Sequence, residues 1–490
     1  ILSQIKEHVQ KFNTNGSLKI ELRDLREFEH VNQMQQSLHD NNTITVFYYR
    51  ADNIRKENKE KLLDYKTVLN KSEWYVILDE AHKGDADTSD QQQYYSLFSK
   101  NGILFNFSAT FTDDIDIVTT LYNFNLKRFL EAGYGKHIKV VDEDFGSFRK
   151  RAKDDDFSDE DKRRIVLKSL ITFTAVKKHA EILKEYDQKL YHNPLHVTTA
   201  NEVNTENADL KIYFQQLAEI GKGNFDLDEA RNELISAFKG NESYQFGKPK
   251  ISVGFIETLQ QLDKTDIYKH VFNAEVHGQI EYTTISGNNK ELAFRLKSAT
   301  EGNHFALVHI GNVSQWENKN DILVDYDKSN TPLTDSYFDK IEESDNNINL
   351  LLGSRIFTEG WDSNRPNVIN FINIGVQSGA QKFVLQTTGR GVRIEPIKNQ
   401  RKRLKHIDDK VALEKVLTNS EQKEVIQNNI QLPVESLFVF ATDKDVISNI
   451  IEGLNKTSKG DTWHNVRGIE KNEIPEDLLI PVYKRKEDYE

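Results

Sequence analysis

The 490 residues are enough for two or three domains with sizeable cores. Charged residues at 29% and hydrophobic ones at 37% fit a chain with a large solvated surface, no apolar run approaches the ~18 residues that span a bilayer, and no signal peptide is visible. Zero cysteines exclude disulfides and thiolate zinc sites and fit a cytoplasmic setting, while a net charge of -12 argues against indiscriminate nucleic-acid binding without excluding a local basic channel.

Ile1, Ile5, Val9 and Phe12 fall at helical spacing, so the chain opens on a helix. Thr43–Tyr49, rich in β-branched and aromatic residues, reads as a strand. Trp74–Leu78 is a short apolar run that suits a strand buried on both faces of a parallel sheet, and it ends abruptly in Asp79 and Glu80. Ligands of open α/β sheets bind at the carboxyl ends of strands. One carboxylate there can hold Mg²⁺ beside a nucleotide's phosphates, and its neighbour can orient and deprotonate the attacking water. A strand ending in solvated acids is the plain alternative. Ile103–Phe107 is a further strand-like run and leads into Ser108-Ala109-Thr110. These elements make a parallel α/β domain over residues 1–141, followed by a charged linker at 142–161.

A second α/β unit, residues 162–431, is expected to open with strands at Ile165–Leu167 and Leu170–Phe173, followed by an amphipathic helix from Val176 to Tyr186. A helix at Leu210–Ile220 and strand-like segments near Ile251–Ile256 and Phe305–Ile310 fill a long interval, which reads as an insertion at about 200–300. Gly353-Ser354-Arg355-Ile356-Phe357-Thr358-Glu359-Gly360-Trp361-Asp362 comes next, then the strand-like Val368–Ile372 and Gln386-Thr387-Thr388-Gly389-Arg390-Gly391-Val392-Arg393. Residues 432–490 form a C-terminal extension with a last strand at Ser436–Phe440. Basic clusters at Arg149–Arg151 and Lys162–Arg164 read as solvated surface; a third runs from Lys398 to Lys405.

Taken in order, the segments at Asp79, Ser108, Gly353 and Gln386 resemble motifs II, III, V and VI of superfamily 2 helicases, with motif IV expected at Ile165–Phe173. Leu121–Arg128 with Glu131–Tyr134, Asn193–Leu195 through Asp209–Lys211, and above all Gly353–Pro396 resemble the Res subunits of type III restriction enzymes. The similarity runs along nearly the whole chain. It implies two RecA-like parallel-sheet lobes, the second carrying the insertion, and an ATP-dependent motor acting on double-stranded DNA beside a methyltransferase subunit, with no membrane partner.

The resemblance assigns Asp79 and Glu80 to Mg²⁺ and the attacking water, and His82 to coupling with the second lobe. Ser108, Ala109 and Thr110 relay nucleotide state. Gly360, Asp362 and Gln386 line the ATP cleft, while Ser354 and Arg355 face the nucleic-acid backbone. Arg390 and Arg393 stabilise charge on the γ-phosphate; for Arg393 a structural salt bridge is the main competitor. Thr387 stands where many helicases carry an arginine, so it receives no role.

Two expected parts are missing from these residues. Gly135-Lys136, Gly221-Lys222 and Gly247-Lys248 are followed by His, Gly and Pro, so none completes a Gly-Lys-Ser/Thr phosphate loop. Asp408-Asp409-Lys410 and Glu421-Gln422-Lys423 lack the strand context of a metal-dependent nuclease. Residue 1 is isoleucine and the sole methionine is Met34, so the chain reads as an internal piece, with the loop expected upstream and the nuclease downstream. Two alternatives stand beside the restriction motor: a stand-alone superfamily 2 DNA or RNA helicase without nuclease, and a catalytically silent nucleic-acid-binding fragment.

Overall fold

In the computed structural model, residues 2–15, 17–27, 42–49, 74–79, 81, 95, 98–100, 102–108, 121–122, 124–144, 158–200, 209–317, 322–329, 332–353, 361–374, 378–441 and 444–453 are described. The chain divides into two units, Ile1–Tyr122 with Ser458–Glu490, and Asn123–Thr457.

The first unit begins with α1 (Leu2–Asn15), whose Asn13 side chain both donates to the Ile20 carbonyl and accepts from the Ile20 N–H, at 2.9 and 2.8 Å. That pair ties the helix to β1 (Lys19–Asp24), which runs parallel to β2 (Thr43–Tyr48). A second parallel pair joins β3 (Tyr75–Asp79) to β4 (Ile103–Phe107). Burial of β3 on both faces does not hold. Tyr75 and Ile77 are 70% and 68% exposed, and Ile103, Phe105 and Phe107 beside them are exposed too. Among the described residues β4 is the ladder partner of β3, and no helix is seen packed on either face of the pair.

The second unit starts with α2 (Leu126–Glu131), capped by Asn125, and β5 (His137–Asp144). Next come α3 (Asp159–Tyr186), β6 (Leu195–Ala200), α4 (Asp209–Gly221) and α5 (Leu227–Gly240). The small pair β7 (Ser243–Tyr244) and β8 (Gly247–Lys250) precedes α6 (Val253–Gln261) and α7 (Lys264–Phe272). Strands β9 (Ile280–Ile285), β10 (Asn288–Leu296), β11 (Ala306–His309), β12 (Asp327–Lys328) and β13 (Leu350–Gly353) follow. The chain then forms β14 (Pro366–Ile372), α8 (Ser378–Gly391), the short α9 (Lys410–Glu414), α10 (Asn419–Gln427), β15 (Ser436–Ala441) and α11 (Lys444–Gly453).

Nine of these strands form one sheet in the order β12-β9-β10-β11-β13-β6-β14-β15-β5. Only β10 runs against its neighbours, so the sheet is mixed but mostly parallel. Alternate residues feed two cores. Leu307, Leu351, Val197, Ile369, Val439 and Val140 lie in register across six strands and pack on one side with α8 and α11. Leu350, Val368 and Phe438 point to the other side, where α3 is surrounded by α4, α5, α6 and α7. The period of two in each strand thus builds an α/β/α sandwich. Among the described residues no helix is long and apolar enough to cross a membrane.

Several sequence expectations change. Ile165–Leu167 and Leu170–Phe173 are not strands but the middle of α3, so no motif IV strand lies there; β6 fills the central place in the sheet. The helix starts at a Ser158/Asp161 capping box and is buried on every side from Val166 to Val176. Its short apolar pieces, broken by the equally buried Lys168, Ser169, Thr172 and Thr174, fit a buried helix as well as buried strands. Ile251–Ile256 is likewise helical from Val253, because the Ser252 hydroxyl caps the Phe255 N–H at 3.3 Å. Residues 137–141, placed in the first domain by the sequence, belong to β5, which pairs with β15 in the second unit, so the division falls at 122/123 rather than 141. The linker is narrower than 142–161, since β5 reaches Asp144 and α3 begins at Asp159. The 200–300 interval is more than decoration, because it adds β9 and β10 to the sheet. β15, read as extension, is an internal strand.

Candidate functional site

In the first unit, β3 and β4 end side by side, with Asp79 opposite Phe107 in the ladder and the Ala81 N–H bonded to the Phe107 carbonyl at 3.0 Å. Asp79 and Ser108 are therefore neighbours at the carboxyl edge of this pair, Asp79 exposed and Ser108 half-buried. Among the described residues no group of three or more His, Asp or Glu side chains is placed to hold a metal. A single carboxylate with water and phosphate oxygens is nonetheless the usual protein share of a Mg²⁺ site, and exposed Asp79 can supply it. Glu80, His82, Ala109 and Thr110 lie outside the described residues.

The second unit brings together a different set. The Arg393 guanidinium pairs with the Asp362 carboxylate, and the Arg390 guanidinium donates to the Trp361 carbonyl. Gln386, Arg390 and Arg393 fall four and three residues apart, which puts them on one stripe along α8 and just past its end. Arg393 and Asp362 are 38% and 53% exposed at the side chain, so this face meets solvent. Thr387, by contrast, is fully buried and cannot take the place of the absent arginine. Gly391 lets the helix end approach the sheet: a Cβ there would stand 2.6 Å from Ile369 Cδ1 and 3.1 Å from Leu437 Cδ2. Ser354, Arg355 and Gly360 lie outside the described residues.

Beneath this surface lies a layer of buried cations that the sequence did not single out. Lys136 Nζ donates to the carbonyls of Asn364, Pro366 and Arg393 at 2.6, 2.7 and 2.8 Å. Burial pulls this ammonium down to about 7, against a supporting field from Glu342. Arg365 is also buried and donates to the Asn193, Ile341 and Ile348 carbonyls, and burial lowers it to about 10. Arg403 donates to the carbonyls of Leu130, Tyr134 and Gly135, while its own N–H bonds Gly133. His192 bridges Glu395, at 2.9 Å, and Glu342, at 3.9 Å; the His192 hydrogen bond holds the Glu395 carboxyl below its usual range. Gly135-Lys136 was legible in the sequence only as a Gly-Lys pair without the following Ser or Thr.

No family model matches the chain, and no curated protein is significantly similar to it. Asp362 and Arg393 sit where β14 begins, whereas the ligand crevice of an open α/β sheet lies at the carboxyl ends of its strands. Half-buried Arg390 and the more open Arg393 thus lie at the amino edge of the sheet, away from that crevice.

Proposed function

We propose that the chain is an ATP-hydrolysing motor of the type III restriction kind, built from two RecA-like lobes, the second with an insertion. The observation that supports it most is the joining of Trp361-Asp362 to Arg390 and Arg393, which links the Glu-Gly-Trp-Asp and Gly-Arg-Gly-Val-Arg segments at one exposed rim. In the proposed reaction, water attacks the γ-phosphorus and the bond to the β–γ bridging oxygen breaks. Glu80 takes the proton of the attacking water and ADP leaves with the bridging oxygen. Asp79 would hold Mg²⁺, which when bound neutralises phosphate charge. Arg390 and Arg393 face the charge that spreads over the γ-phosphoryl oxygens.

The resting partner of Arg393 suits this role energetically. An exposed ion pair contributes roughly 0–1 kcal/mol, so Arg393 can leave Asp362 for a phosphate at little cost. Double-stranded DNA is the proposed track, held through backbone contacts whose strength falls steeply with salt, while a methyltransferase subunit supplies the sequence reading. Glu80→Gln, made in the full-length protein, tests the chemistry. The expected outcome is loss of DNA-stimulated phosphate release with nucleotide binding retained. Undiminished turnover in Glu80→Gln would remove the proposed water-activating step.

A further inference from the structure

Lys136 is a fully buried cation with no carboxylate bonded to it among the described residues; all three of its ammonium protons go to backbone carbonyls. Those carbonyls come from two places that matter to the rim. Asn364 and Pro366 belong to the segment that carries Asp362 into β14, and the third carbonyl is that of Arg393 itself. The backbone adds a fourth tie, from the Lys136 N–H to the Val392 carbonyl at 2.6 Å. Lys136 is in turn held by its own neighbours. Gly133 and Gly135 take φ of +89° and +67°, and a Cβ on Gly135 would meet Phe129 at 2.6 Å and the Val392 carbonyl at 3.0 Å. Arg403 grips the carbonyls of this same turn. A strap of residues 130–136 therefore joins the end of α8 to the start of β14, across sequence separations of 228 to 257 residues.

We infer that Lys136 is a positioning residue for the Arg393–Asp362 rim, pinning the two backbone segments that carry the arginine and its acid partner. This rests on the proposal that Arg393 serves a nucleotide. Three carbonyls match an ammonium's three donors, and a neutral amine, with two, must release one of them. The charged groups around the pin are Glu342, whose carboxylate favours the ammonium, and Arg365, which shares Glu342 with it; His192 and Glu395 lie beyond Glu342.

Titration of the pin separates positioning from plain stability, because the two move in opposite directions. Lys136 has a folded value of about 7 against 10.5, so between those limits the unfolded chain binds more protons and overall stability rises with pH. Over the same range the pin loses its third donor, so the rim alone loosens.

Backbone hydrogen exchange of the wild-type chain at pH about 6 and about 8.5, corrected for intrinsic rates, reads this directly. Protection in segments 361–366 and 388–394 should drop about tenfold at the higher pH while β6 and β15 keep theirs. Lys136→Met should show the same local loss at both pH values. Uniform loss throughout the second unit, or none at the rim, would overturn the inference. In the complete polypeptide, Lys136→Met should lower kcat with KM unchanged, and should add nothing to Arg393→Ala. Multiplying losses in the double variant would also overturn it. If Arg393→Ala by itself leaves hydrolysis intact, the nucleotide proposal fails, and the exchange data alone decide whether Lys136 pins this backbone.

Discussion

Glu435 shows how single buried charges set the pH behaviour of the second unit. Its carboxyl is fully buried and is pushed up to about 7, against the opposing pull of the Leu404 N–H, the Tyr191 hydroxyl and Arg403. The ordinary value is 4.5, so between pH 4.5 and about 7 the folded chain keeps a proton that the unfolded chain has released. Stability from this group is present below that window and is lost as pH rises through it, by at most roughly 3–4 kcal/mol at about 1.4 kcal/mol per pH unit. Glu435→Gln keeps an oxygen for the Leu404 N–H at 2.6 Å and removes the titration. Urea unfolding across this range should show wild type weakening relative to Glu435→Gln as pH rises. Parallel curves would mean that Glu435 is ionised throughout. None of this was legible beforehand: Glu435, Lys136, Arg365 and Arg403 look like ordinary surface charges in sequence, and only long-range folding buries them. Asp362, Arg390 and Arg393 were singled out beforehand through their places in the helicase-like segments.

At the scale of elements, α8 gives a contrast between two glycines of one motif. A Cβ at Gly391 meets Ile369 and Leu437 on the sheet, whereas a Cβ at Gly389 has nothing within 4 Å. Gly391→Ala should destabilise the second unit by about 1–3 kcal/mol, the usual cost of overpacking a tight contact. Gly389→Ala should leave stability unchanged or raise it by up to about 1 kcal/mol through helix propensity. Thermal melts of the two variants check this, and equal effects would contradict the close approach of Gly391 to the sheet. Strands with apolar runs between polar ends, such as β4, β14 and β15, could be read directly from sequence. α3 could be read only in its C-terminal part, Val176–Tyr186; from Ile165 to Phe173 its polar residues Lys168, Ser169 and Thr172 are buried with the apolar ones instead of marking a solvated face. Burial between the sheet and four helices hides that period, and the Ser158/Asp161 capping box marks the helix start.

For the whole molecule, sequence pattern reached the α/β class but not the connectivity. The nine-stranded sheet mixes strands from distant parts of the chain, with β5 beside β15 and β13 beside β6. Register of that kind depends on non-local pairing, so boundaries drawn at 141, 161 and 432 by composition shifted once partners were known. The central claim, that the exposed rim of Asp362 and Arg393 serves ATP hydrolysis, is tested most directly by phosphate release from the complete polypeptide. Rates with and without double-stranded DNA should be compared between wild type and Arg393→Ala. The account predicts a loss of about 10³-fold or more in DNA-stimulated turnover, the range of an arginine finger, with ATP still bound. Turnover of Arg393→Ala within about twofold of wild type would contradict it and leave the Asp362–Arg393 pair as a surface salt bridge.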